Sequence, residues 1–169
     1  SEVEGKEIEK EGTVSIPPIR EMIEFRGVSF HYPGIRYEVL KDINLTIRRG
    51  EIIAIVGKSG VGKTTLVDLL PRFHDPSQGV ILLDGIDIST ASLKSLRGQI
   101  GVVSQDVILF NDTVKNNIVF GRPGAADDEI IGAAKAAYAH DFVNELPQGY
   151  ETVIGEKGVR LSGGQRQRI

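Results

Sequence analysis

Eight consecutive residues, Gly57-Lys58-Ser59-Gly60-Val61-Gly62-Lys63-Thr64, spell G-x-x-x-x-G-K-[ST] without a mismatch. The pattern constrains a fold only in the right surroundings, and both flanks supply them. Glu51-Ile52-Ile53-Ala54-Ile55-Val56 is a short, β-branched, apolar stretch that predicts a strand. Thr64 to Leu70 carries helical apolar spacing. Strand, glycine loop and helix in that order turn backbone N–H groups toward a polyphosphate, with the positive end of the helix dipole beside it. In such a loop Lys63 reaches the β- and γ-phosphates and the Thr64 hydroxyl holds Mg²⁺. The sequence therefore implies a site for a nucleoside triphosphate, with Gly57, Lys58, Ser59, Gly60, Val61, Gly62, Lys63, Thr64 and Thr65 lining it.

The 169 residues suffice for a sizeable core. Charge narrows the partners. Residues 1–12 hold five glutamates against two lysines, the whole of the net −3, so 18 acidic and 18 basic side chains balance in the rest. That start reads as a solvated acidic linker or tail over 1–21, stiffened by Ile16-Pro17-Pro18-Ile19. The balance elsewhere argues against nucleic acid as a partner. No cysteine is present, which removes disulfides and thiolate metal ligands. No apolar run approaches the roughly 18 residues of a membrane helix.

Along the chain, Ile23 to Arg26 and Val28 to Tyr32 read as strands, followed by a turn at Pro33-Gly34. Val39 to Ile47 mostly alternates apolar and polar residues and predicts another strand. Past the breakers Pro71 and Asp75-Pro76, Gly79 to Gly85 predicts a strand and turn, Ser92 to Arg97 a short helix, and Gln99 to Asp106 a buried strand. Asp112 is an expected N-cap. The alanine-rich stretch Asp127 to Leu146 predicts one long helix with acidic residues in its first turn. The expected fold class is α/β: a P-loop core (22–106 with its antiparallel β-subdomain) and a helical segment (107–169).

The last nine residues are Leu161-Ser162-Gly163-Gly164-Gln165-Arg166-Gln167-Arg168-Ile169. Paired glycines before a helix leave backbone N–H groups open to an anion, and Ser162 adds a hydroxyl. Leu-Ser-Gly-Gly-Gln is the signature of ATP-binding cassette ATPases, and the chain resembles that family from about Met22 to its end. The resemblance implies further roles. Tyr32, in Phe30-His31-Tyr32-Pro33, stands where an aromatic stacks on adenine. Gln105 matches the glutamine that meets Mg²⁺ or the attacking water. Thr152-Val153-Ile154-Gly155-Glu156-Lys157-Gly158 is similar to the segment before the signature of exporters, where Glu156 would touch coupling helices of a membrane domain. Leu109 to Val114 is exporter-like as well.

What the resemblance implies is the nucleotide-binding domain of an exporter, acting at the cytoplasmic face of a membrane with ATP and Mg²⁺. Two such domains close head to tail, the P-loop of one facing Ser162, Gly163, Gly164 and Gln165 of the other. The family's catalytic glutamate, its neighbouring aspartate and its switch histidine follow the signature helix and have no counterpart here, so no catalytic residue is assigned. The expectation is part of a longer domain, binding nucleotide weakly and hydrolysing it negligibly by itself. Val80-Ile81-Leu82-Leu83-Asp84 mimics the metal-binding strand, but Gly85 follows where a glutamate is required, and Asp84 is rejected as a ligand. His31, His74 and His140 are likewise not the switch, and His140 is expected at a surface or boundary. Other readings are a soluble cassette ATPase, or a nucleotide-binding module without turnover; a GTPase would need an Asn-Lys-x-Asp-type motif, which is not found.

Overall fold

The computed structural model describes residues 11–104, 106–156 and 161–169. The chain divides into two compact units, one running to Gly101 and the other beginning at Val102.

The first unit is built on an antiparallel sheet of order β2-β1-β3-β4. Its strands are β1 (Met22–Phe30), β2 (Leu40–Arg48), β3 (Gln78–Leu83) and β4 (Ile86–Asp87). Like residues meet across the ladders: Ile23 faces Ile47 and Leu83, and Phe25 faces Leu45 and Ile81. Such cross-strand apolar pairs stabilise a sheet whose one face is buried. The two expected strands at 23–26 and 28–32 form one, β1, interrupted by a register shift after Phe25. Gly27 (φ 60°) allows that bulge, and its N–H donates to Asn44 Oδ1 at 2.8 Å. β3 and β4 join through Asp84 (φ 47°) and Gly85 (φ 80°), a left-handed pair suited to a two-residue hairpin. α1 (Lys63–Asp68) and α2 (Leu93–Arg97) complete the unit, with Phe25, Val28, Leu69, Ile81 and Leu96 in its core.

Two expected strands do not form. Residues 51–56 and 99–104 have no ladder partner among the described residues, and Ile52 (99% exposed), Val56 (87%) and Val103 (79%) stand in solvent. A continuous apolar strand belongs to a sheet covered on both faces, and among the described residues neither run pairs with a strand, although Ile100 packs against the first unit's core. The start of the chain differs from expectation in the opposite sense. Composition marks 1–21 as a solvated tail, yet Ile16 is buried and Val14 bridges Ala91 in parallel.

The second unit holds α3 (Val114–Val119), α4 (Asp127–Ala136), α5 (His140–Asn144) and α6 (Gly163–Arg166) around Leu109, Val114, Ala134, Val143, Ile154 and Leu161. The helix expected over 127–146 is two helices, broken where Tyr138 takes φ 55°. Alanine-rich propensity gave no hint of the break, because a left-handed residue at a helix end is usually glycine or asparagine. The N-cap of α3 is Thr113, whose Oγ1 accepts from Asn116 N at 3.0 Å. Asp112 instead accepts from Thr113 N and the Asn116 amide, and these bonds hold its carboxyl below the usual value. His140 is half-buried, with Nδ1 2.9 Å from the Tyr150 hydroxyl and Nε2 3.0 Å from Asn144 Nδ2.

Candidate nucleotide site

The glycine loop leads into α1 with its conformation set by glycine. Gly60 has φ 79° and Gly62, the N-cap of α1, has φ 97°. Both values lie in the region that side chains disfavour. A Cβ on Gly62 would also stand 3.0 Å from Leu40 Cδ2 and 3.1 Å from Val39 O, so the beginning of β2 packs directly under the loop. Leu66 N donates to Gly62 O at 2.9 Å, which starts the helix immediately after the turn. No side chain caps this helix, so its first N–H groups depend on other partners.

Lys63 folds back over the loop. Its ammonium donates to Gly57 O at 2.9 Å and to Lys58 O at 2.8 Å. An ammonium has three donors, and here two of them brace the loop. A phosphate oxygen arriving there would compete for a charge already held at the mouth of the turn. Thr64 is exposed, while the next residue, Thr65, is buried. Thr65 Oγ1 lies 2.9 Å from the Tyr32 hydroxyl, a bond that ties the aromatic after β1 to the loop helix. The Tyr32 ring packs edge-on against Phe30 (centroids 4.9 Å apart) and His74 (5.3 Å). Tyr32 and the P-loop are thus brought together in the first unit. The sequence offered no signal for the Tyr32–Thr65 bond.

Asp84 has a structural role. Its carboxylate accepts from the backbone N–H groups of Arg20 (2.7 Å), Glu21 (2.9 Å) and Met22 (2.8 Å), pinning the entry to β1. The Met22 bond, with those of Arg20 and Glu21, holds its carboxyl below the usual value. A group so engaged has few lone pairs left for a metal. Among the described residues no cluster of three or more histidines or carboxylates could hold a cation.

The signature lies in the second unit. Ser162 caps α6: its Oγ accepts from Gln165 N at 3.2 Å, and Gln165 Oε1 accepts from Ser162 N at 2.9 Å. This reciprocal box occupies the Gln165 side-chain oxygen but leaves the Ser162 hydroxyl proton able to donate. Leu161 anchors the turn in the core, and Arg168 donates to Gly164 O at 3.2 Å and Tyr138 O at 3.1 Å. A Cβ on Gly164 would meet nothing within 4 Å, and one on Gly163 only the tip of Arg166 at 4.0 Å. Val153 pairs with Thr113, and Ile154 N donates to Asp112 O at 3.1 Å, which leaves Glu156 exposed at the end of that segment. Gln105, Lys157 and Gly158 lie outside the described residues.

The family model described as "ABC transporter" matches residues 40–169. An ATP-dependent lipid A-core flippase of Syntrophus aciditrophicus (strain SB) is 58% identical over 162 residues, 96% of this chain and 27% of that protein. A putative multidrug export ATP-binding/permease protein of Staphylococcus aureus (strain NCTC 8325 / PS 47) is 56% identical over 147 residues, 87% of this chain and 25% of that protein. A solved bacterial Atm1-family ABC exporter with ATP bound superposes with a TM-score of 0.85 at 43% identity, covering 95% of this chain and 28% of the other. The chain spans about a quarter of the length of the curated relatives it matches. The chain belongs to the ABC transporter family.

Proposed function

We propose that this chain is the ATP-binding part of a membrane exporter, and that dimer closure and hydrolysis in the complete domain drive transport. The observation that carries the reading is the loop itself. Left-handed Gly60 and Gly62 turn the backbone into a helix with no side-chain cap, and Lys63 is bonded across the mouth. That donor set fits a triphosphate: N–H groups and an ammonium for the phosphates, with the exposed Thr64 hydroxyl for the metal. Mg²⁺, when bound, neutralises phosphate charge as it builds. Lys63 exchanges a loop carbonyl for phosphate oxygen, Thr64 and Gln105 orient the metal, and Tyr32 presents its ring to the base. Ser162, Gly163 and Gly164 of a second copy close over the γ-phosphate, with Gln165 holding their turn in shape.

The exporter reading is favoured over a soluble cassette ATPase because the relatives named above are a flippase, an export permease and an exporter. Among the described residues no helix is long and apolar enough to cross a membrane. The direct test is ATP hydrolysis by the full-length protein in lipid vesicles. The account expects vanadate-sensitive turnover that Lys63→Ala removes; turnover indifferent to Lys63→Ala would contradict it.

A further inference from the structure

Residues 12–19 are fastened to the first unit along their length. Gly12 N donates to Ala91 O (3.1 Å), Val14 N to Thr90 O (3.0 Å) and Ser92 N to Val14 O (2.8 Å). Gly12 is required there, since a Cβ would sit 2.1 Å from Thr90 O. Ile16 is 5% exposed and shares a core cluster with Leu96 of α2 and Leu69 at the end of α1. Ile16 N donates to Ser95 Oγ at 3.1 Å.

Pro17 and Pro18 then pose a problem, because neither has an N–H with which to bond. Gln99 solves it from the other side. Its amide nitrogen donates to Ile16 O (3.3 Å), Pro17 O (3.2 Å) and Ser95 O (3.1 Å), and its oxygen accepts from Ile19 N (2.9 Å). One side chain thus grips three of four consecutive residues, and the proline pair is already stiff and loses little entropy on docking. α2 has a second hold in the opposite direction. Arg97 donates to Pro71 O (2.8 Å) and Arg72 O (3.0 Å), where the loop helix ends.

We propose that residues 12–19 are a transmission strap and Gln99 the positioning residue that fastens it, passing movement of the preceding chain through α2 to the end of the nucleotide-loop helix. The inference rests on the exporter reading, in which the preceding chain leads to a membrane domain. By reciprocity, nucleotide bound at the loop must then alter the strap as much as the strap alters the loop.

Hydrogen exchange on the full-length protein in lipid vesicles reads this without knowledge of the cargo. In the wild type, MgATP with vanadate should slow exchange across 63–70 and change exchange across 12–19 at least threefold. Gln99→Leu should speed strap exchange about tenfold and abolish its response to nucleotide, while 63–70 remains protected by MgATP. Gln99→Glu keeps the acceptor for Ile19 N and should recover part of the response. Should Gln99→Leu fail to fold, Ser95→Ala, which removes the acceptor for Ile16 N together with the hydroxyl's two bonds to Ser92, carries the same test with a smaller effect. A strap indifferent to nucleotide in the wild type, or one whose response is undiminished in Gln99→Leu or in Ser95→Ala, overturns the proposal and leaves the exporter reading intact. Absence of MgATP protection across 63–70 in the wild type overturns both.

Discussion

The two glycine-rich turns, 57–64 and 161–165, look alike in sequence but owe their glycines to different causes. At the P-loop the fold itself demands glycine: Gly62 has φ 97°, and its absent Cβ is where Leu40 and Val39 pack. At the signature the fold demands nothing, because Gly164 sits in a helix with open space where its side chain would be. A helical position facing open space would be more stable as alanine by up to about 1 kcal/mol. Glycine there makes sense only if something else must approach. The first turn is shaped from within by its own unit; the second has open space that the proposed function gives to a second copy.

The largest effect expected is at Lys63, which braces the loop and, in the proposed function, meets the phosphate. Lys63→Ala should lower ATP turnover of the full-length protein about a hundredfold or more, the scale of losing a charge that faces the transition state. Steady-state hydrolysis at saturating MgATP checks it. Next comes the pair that separates the two turns. Gly62→Ala should cost about 2 kcal/mol of stability, from a left-handed side chain pressed on Leu40. Gly164→Ala should leave stability unchanged or raise it by up to about 1 kcal/mol yet lower turnover at least tenfold, because only the approaching partner meets the methyl. Denaturant melts beside activity would expose the reverse pattern, which would break the comparison.

Tyr32 sharpens the first turn further. Tyr32→Ala should weaken ATP binding by about tenfold, the lower range of base-on-aromatic stacking. Tyr32→Phe keeps the ring and loses only the bond to Thr65, so affinity should hold while stability falls by about 1 kcal/mol. Calorimetric titration with MgATP distinguishes the two. The smallest effect belongs to Asp84. Its folded pKa is below the unfolded value of about 3.9, so its contribution is present above that pH and fades as pH falls through the folded value. Asp84→Asn should therefore be less stable than the wild type at pH 7, with the gap narrowing as pH falls through the lowered folded value, as acid melts would record.

Much of this was legible in the residues, for local reasons. β1 and β2 announce themselves through alternation and β3 through a short apolar run, and Asp84-Gly85 is a hairpin signal in its own right. Ser162 and Gln165 stand at capping-box spacing. What was hidden depends on distant partners. The runs at 51–56 and 99–104 read as strands because they are apolar and β-branched, yet a strand exists only when a neighbour completes its ladder. Ile16 lies in a stretch that composition marks as solvated, and it is buried by residues far along the chain, Leu69 and Leu96, with Ser95 accepting from its N–H. The break at Tyr138 likewise carries no glycine or proline to reveal it.

The most direct test of a site shared between copies is to mix two dead variants. Lys63→Ala spoils the P-loop of its own copy, and Gly164→Ala the signature it lends to its partner. Each alone leaves no intact site in a head-to-tail dimer, whereas the mixed dimer places both lesions in one site and frees the other. Vanadate trapping of nucleotide by co-expressed variants should therefore recover about a quarter of the wild-type level, the share a random mixture of dimers gives. Trapping no greater than either variant shows alone would contradict the account, because each site would then be built within one copy.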